Sequence, residues 1–158
     1  MNGPAEEDLR LAAIMLALAS LKVEPNLRAD HAVDWALRKR WIGISAEQRA
    51  MIAACMLAHG GGDASANIDL LRLAAPEQLQ RAAIWGGALR LCRRMSGGSP
   101  PPLLQSSLSI DDQGLALRID PAQAGLVNDM VERDLRALAE RMDLATGSAI
   151  GRIATDRR

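Results

Sequence analysis

The stretch from Glu6 to Gly62 constrains this chain most, because it holds three helical blocks separated by two abrupt breaks. Glu6, Glu7 and Asp8 open the first block, where negative charge suits the positive end of a helix. Leu11 to Leu21 is then apolar throughout except for Ser20. A helix that is apolar all round belongs in the middle of a core, so this segment is expected to be central. Pro25 stops it. Arg28 to Arg40 forms the second block and ends at Trp41-Ile42-Gly43-Ile44. Ser45 and Gln48 have the spacing of a capping box, which predicts a third helix running to His59 and stopping on Gly60-Gly61-Gly62.

With 158 residues, half of them hydrophobic, the chain can bury a real core, and disorder is not expected. That core must be made of Leu, Ala, Ile and Met, since the sequence has no Phe and no Tyr. The net charge is zero, which argues against a dedicated nucleic-acid binder. Cys55 and Cys92 fall in helical segments and read as buried free thiols. The apolar run Leu11–Leu21 is too short to span a bilayer, and it follows acidic residues where a signal peptide needs basic ones. A cytoplasmic protein with no membrane contact is the expectation.

Further along, Ile68–Leu73 predicts a short helical turn, and Pro76 fits the first position of a fourth helix reaching about Met95. Gly86-Gly87 inside that helix permits close approach of a neighbouring helix or a bend. Ser96 to Pro102 is the clearest breaker and is expected to be a linker over 97–102. The apolar period then changes to two. Leu104, Ser106, Leu108 and Ile110, a turn at Asp111–Gly114, then Leu115, Leu117 and Ile119 predict a β-hairpin. Asp120-Pro121 is expected to cap and start a last helix carrying Leu126, Met130, Leu135, Leu138 and Met142 on one face. From Thr146 onward the pattern predicts a flexible tail.

The order of these blocks resembles the C-terminal domain of the Ppx/GppA family of exopolyphosphatases and guanosine pentaphosphate phosphohydrolases, of the alphaproteobacterial type. The residues that carry the likeness are the Leu/Ala-rich helix Leu9–Ala19, Pro25-Asn26-Leu27-Arg28 with Asp30 two positions on, and Trp41-Ile42-Gly43. Arg49-Ala50, Trp85-Gly86-Gly87-Ala88-Leu89-Arg90-Leu91, the Ser-Gly-Pro stretch and Leu138-Ala139-Glu140-Arg141 follow in the same order. The resemblance implies a mainly α fold. Residues 1–96 would be an HD-like helical bundle, and 103–145 a β-hairpin and C-terminal helix packed on it. It also implies that catalysis, with magnesium, resides in an N-terminal actin-like fold that this sequence does not contain. The chain would then be a fragment or a stand-alone accessory domain, inactive alone. It would serve polyphosphate binding or homodimer formation.

The residue content argues against chemistry within the chain itself. HD hydrolases hold divalent metal with a His, a His-Asp pair and a further Asp, because several imidazoles and carboxylates must converge on one cation. Here His31 and His59 are the only histidines and there is no His-Asp dipeptide. Where family members carry a His after the Arg of the first helix, Arg10 is followed by Leu11, and an acidic position late in that helix is replaced by Ala17-Leu18-Ala19. No catalytic residue and no metal ligand is therefore expected, which weighs against a third reading as a degenerate nucleotide hydrolase. His31 is expected to pair on the surface with Asp30 or Asp34. Gly60–Gly62 closes a helix instead of opening one, so it is a stop and not a phosphate cradle.

Two basic clusters remain, Arg38-Lys39-Arg40 and Arg90, Arg93 and Arg94. Each is either a solvated helix end or a polyanion contact, and arginine forks match phosphate oxygens well. With Arg28 and His59 they make up the polyanion-binding candidates. His59, at a helix C-terminus, reads first as a capping histidine favoured by the helix dipole, with a phosphate or metal contact as the alternative. The alternative to any phosphate role is a helical module that self-associates through the apolar faces of its first and last helices.

Overall fold

A computed structural model of the chain describes residues 4–112 and 114–150. The chain is mainly helical, with a small sheet late in the sequence. It divides into two units, one running to Arg90 and the other starting at Leu91. The boundary falls within one helix, upstream of the Ser96–Pro102 stretch.

In the first unit, α1 (Pro4–Ala19) continues into a 3-10 turn at Ser20–Lys22. Helix α2 (Arg28–Arg38), α3 (Ala46–Gly60) and the short α4 (Ile68–Leu71) follow, and α5 (Pro76–Ser96) begins in this unit. The capping box at α3 is formed: the Ser45 hydroxyl accepts from the Gln48 backbone N–H, and the Gln48 side chain accepts from the Ser45 N–H. At its other end Gly61 takes the left-handed conformation with φ 93°.

Helix α3 is the element buried on all sides. Ala50 to Met56 are buried without a gap, and Ala58 and His59 follow. Both α1 and α2 pack on it. Its alanines let neighbours come close, and α5 answers with Gly86. A Cβ added there would lie 2.2 Å from the Cys55 carbonyl oxygen and 2.8 Å from the Ala58 Cβ.

The central place expected for α1 therefore belongs to α3. Leu9, Ala13, Leu16 and Ala17 of α1, and Ser20 of the turn that follows it, face the core. Leu11, Ile14, Met15, Leu18 and Leu21 are exposed, so hydrophobicity on every side of α1 reflects two separate apolar faces and only one of them is covered. A second difference concerns the cysteines. Cys55 is buried on α3, but Cys92 is exposed on α5, and both are free thiols.

The second unit holds α6 (Pro100–Leu104), β1 (Ser106–Asp111), β2 (Gly114–Ile119), a 3-10 turn at Pro121–Leu126, α7 (Asp129–Arg141) and β3 (Thr146–Ile150). The prolines expected to form a linker instead open the α6 turn, where a missing N–H costs nothing. Strands β1 and β2 form the expected antiparallel hairpin, with Leu108 opposite Leu117 and Ile110 opposite Leu115. Leu115, Leu117 and Ile119 are buried, as are Val131, Leu135 and Leu138 of α7, which packs on β2. On the outer strand β1, Leu108 and Ile110 stay exposed.

Two elements differ from the sequence expectation. Asp120 caps only the 3-10 turn, accepting from the Ala122 N–H, and Asn128 caps α7 separately through the Met130 and Val131 N–H groups. Residues 146–150, expected to belong to a tail, form β3, which pairs parallel to β2 from Leu115–Thr146 to Ile119–Ile150. The remainder of that segment, 151–158, lies outside the described residues. No helix among the described residues is long and apolar enough to cross a membrane.

Candidate functional site

The structure sorts the basic candidates by what each already holds. Arg28 starts α2 and reaches back over the break at Pro25. Its Nε donates to the Ser20 carbonyl at 3.0 Å, and its Nη2 donates to the Val23 carbonyl at 3.0 Å. A further bond reaches the Leu21 carbonyl at 3.3 Å. These carbonyls sit where the first helix ends, and that of Ser20 also accepts the Val23 backbone N–H at 3.0 Å. Arg28 is thus a clamp that closes the end of the first helical block.

Arg90 has a similar task at the end of α3. Its Nη1 donates to the His59 carbonyl at 3.3 Å, and the space a side chain would need at Gly61 is filled by the guanidinium. His59 itself is buried. In the second unit Arg94 makes an ion pair with Asp134 of α7, a carboxylate almost fully removed from solvent. Arg93 is exposed on the same helix. Within this cluster, Arg90 and Arg94 are thus engaged in holding the fold.

Arg38, Lys39 and Arg40 are different. All three are exposed where α2 ends and the chain leaves for α3. Arg38 makes a surface pair with Asp34 one turn back at 2.8 Å. The ammonium of Lys39 lies 4.0 Å from the centre of the Trp35 ring, a cation–π contact. Arg40 has no ion pair or side-chain hydrogen bond among the described residues. Positive charge here also faces the negative end of the α2 dipole, which favours keeping it in place.

The segment beyond is fixed. Trp41 donates its indole N–H to the Ala36 carbonyl at 3.0 Å, and Trp41 and Ile44 pack against the core. Between these anchors Ile42 is 96% exposed. Behind the cations runs a column on one face of α2. The rings of His31 and Trp35 lie 4.6 Å apart, and Lys39 follows one turn later. His31 thus packs against Trp35 with the rings tilted by 55°, and Asp34, one of its two expected partners, is taken by Arg38. The spacing of His31, Trp35 and Lys39 at i, i+4 and i+8 is the signal for this column that the sequence reading passed over.

Among the described residues no three of His, Cys, Asp and Glu converge in a way that could hold a metal ion. Burial pushes the Cys55 thiol up to about 12, which keeps it protonated and unreactive at neutral pH. The arrangement offers a fixed, exposed, positively charged helix end with aromatic backing, suited to contact an anion.

A comparison with family models matches residues 2–147 to the exopolyphosphatase C-terminal domain. The chain belongs to that family. The match spans both units, from α1 into the start of β3. No curated protein matches the chain. Within the exopolyphosphatase C-terminal family, then, Arg28 and Arg90 of this chain hold its own carbonyls, Arg94 holds Asp134, and Arg38, Lys39 and Arg40 form an exposed group at the end of α2.

Proposed function

We propose that this chain is the C-terminal part of an exopolyphosphatase-type phosphohydrolase and that Arg38, Lys39 and Arg40 contact the polyphosphate chain. In this reading the first unit is the family's HD-like part, and hydrolysis, with magnesium, belongs to an actin-like domain outside this sequence. The observation that carries the reading is the division of labour among the arginines. Arg28, Arg90 and Arg94 spend their donors on carbonyls or on Asp134, whereas the α2 end leaves consecutive cations facing solvent. Each phosphate unit repeats the same charge, so a short run of cations on a rigid turn can grip any part of the polymer.

The test is titration of long-chain polyphosphate at low and high salt, read by thermal shift or calorimetry. Binding that weakens as salt rises is expected. Replacing Arg38, Lys39 and Arg40 together by Ala should lower the affinity about tenfold or more, the equivalent of ~1.4 kcal/mol. Arg28→Ala should lower the melting temperature and leave the affinity unchanged. Absence of binding at low salt, or equal affinity in the triple variant, would reject the α2 site.

A second reading, self-association, is favoured by a separate observation: the apolar face of α1 that no other element covers.

A further inference from the structure

We infer that the turn joining α2 to α3 docks on an anionic lipid surface, with Ile42 inserted among the acyl chains and Arg38, Lys39 and Arg40 at the headgroups. The inference goes beyond the polyphosphate reading and departs from the sequence expectation of no membrane contact. The two readings share the three cations and differ at Ile42. Among the described residues Ile42 is the most exposed large apolar side chain. Its surroundings are fixed, because Trp41 is bonded to the Ala36 carbonyl, and Trp41 and Ile44 pack against the core. Gly43 takes φ 75°, a left-handed bend that suits a residue without a Cβ. The chain thus leaves the core at Trp41 and returns to it at Ile44, with Ile42 at the apex.

An exposed apolar side chain standing alone is ordinary. This one follows directly on three exposed cations, and the sequence holds no acid between Asp34 and Glu47. Arg49 of α3 adds a further positive charge behind the turn, its Nη1 lying 3.5 Å from the Leu37 carbonyl. Of the two flanking acids, Asp34 pairs with Arg38, and Glu47 accepts from the Gln78 side chain. The turn therefore carries an excess of positive charge and matches an anionic surface. The apex narrows the choice of surface. A protein partner would need a cavity shaped for a projecting isoleucine, and protein contacts draw on several apolar residues together. Beside Ile42, the exposed residues of the turn are Arg40, Gly43 and Ser45, which offer no such patch. A fluid bilayer needs no preformed cavity. Its acyl layer accepts the isoleucine while the headgroup phosphates face the cations a few residues away. One apolar side chain with three cations makes the contact reversible, since even a myristoyl chain alone anchors a protein only marginally. Polyphosphate has no apolar part, so Ile42 has no role in holding it.

Co-sedimentation of the 158-residue chain with lipid vesicles at low salt, without polyphosphate, tests this. Vesicles that mix phosphatidylcholine with phosphatidylglycerol should carry the chain down, and vesicles of phosphatidylcholine alone should not. Raising the salt should release it. Ile42→Ser should lower the partition coefficient about tenfold, and Ile42→Leu should preserve it. Both variants should keep the helical circular dichroism of the parent, because position 42 lies outside the core. Ile42→Ser should also leave the polyphosphate titration unchanged, whereas replacing Arg38, Lys39 and Arg40 together by Ala should weaken both kinds of binding. Failure to bind the mixed vesicles, equal binding to both kinds of vesicle, or binding indifferent to Ile42→Ser overturns the lipid docking. So does a loss with Ile42→Leu as large as that with Ile42→Ser. A chain that binds polyphosphate and no vesicle rejects the lipid docking alone. One that binds mixed vesicles as expected and ignores polyphosphate rejects the polyphosphate reading alone.

Discussion

Gly86 shows how much one missing side chain can decide. Helix α5 passes the backbone of α3 so closely that a methyl group at position 86 would overlap the Cys55 carbonyl oxygen. That atom belongs to a helix and cannot move aside as a flexible side chain could. Gly86→Ala should therefore destabilise the chain by about 1–3 kcal/mol despite the better helix propensity of alanine. Gly125 is a fair control, because an added Cβ there meets nothing within 4 Å. Gly125→Ala should change stability by roughly 0.5 kcal/mol or less. Urea unfolding of the two variants beside the parent gives the comparison. The sequence showed that Gly86-Gly87 could admit a close neighbour, since only small residues permit it. It did not show which helix would come close, because that depends on residues some thirty positions upstream.

At the scale of elements, the ion pair between Arg94 of α5 and Asp134 of α7 is the contact with most at stake in the second unit. Asp134 is nearly buried and Arg94 is partly exposed, so removing the carboxylate strands a cation that water reaches only in part. Asp134→Ala should cost about 2–3 kcal/mol, less than for a fully buried pair because solvent screens the arginine. Asp34→Ala breaks the exposed pair with Arg38 and should cost less than about 1 kcal/mol. Chemical denaturation of both variants separates the cases. Some elements were legible from residues alone and others were not. The start of α3 was, because Ser45 and Gln48 cap it through local bonds. The hairpin was, because its alternation and its turn are local too. The two faces of α1 were not, since leucine, isoleucine and methionine occupy both and composition does not say which one finds a neighbour. The clamp role of Arg28 was hidden as well: an arginine beside Asp30 at the start of a helix reads as surface charge until the chain folds back at Pro25. The basic run at 38–40 was legible as charge. That all three stay exposed, while other arginines hold carbonyls or a carboxylate, became visible only in the folded chain.

For the molecule as a whole, the balance of charge is zero, yet stability should still vary with pH at the alkaline end. Burial raises the Cys55 thiol from 9.0 to about 12, so the folded chain holds that proton more firmly than the unfolded one. The resulting stabilisation is complete below about pH 9 and is lost as pH rises toward 12. The slope over that window approaches ~1.4 kcal/mol per pH unit from this one group. The absence of tyrosine, with Lys22 and Lys39 as the only lysines, leaves few other side chains titrating there. Stability of the parent and of Cys55→Ala, measured from pH 8 upward, should therefore converge or cross as the pH increases, because the variant lacks the slope.

The parallel pairing of β2 with β3 has a consequence for how the chain is made. Each residue of β2 from Leu115 to Ile119 meets a partner 31 positions further on, the offset from 115 to 146. On a translating ribosome the β1–β2 hairpin emerges first and closes on itself within its own dozen residues. The far side of β2 then stays without its hydrogen-bonding strand until all of α7 and then β3 have left the exit tunnel. Throughout that interval the nascent chain presents an open strand edge to whatever else is nearby, and the sheet cannot be finished before the whole α7 segment has been made.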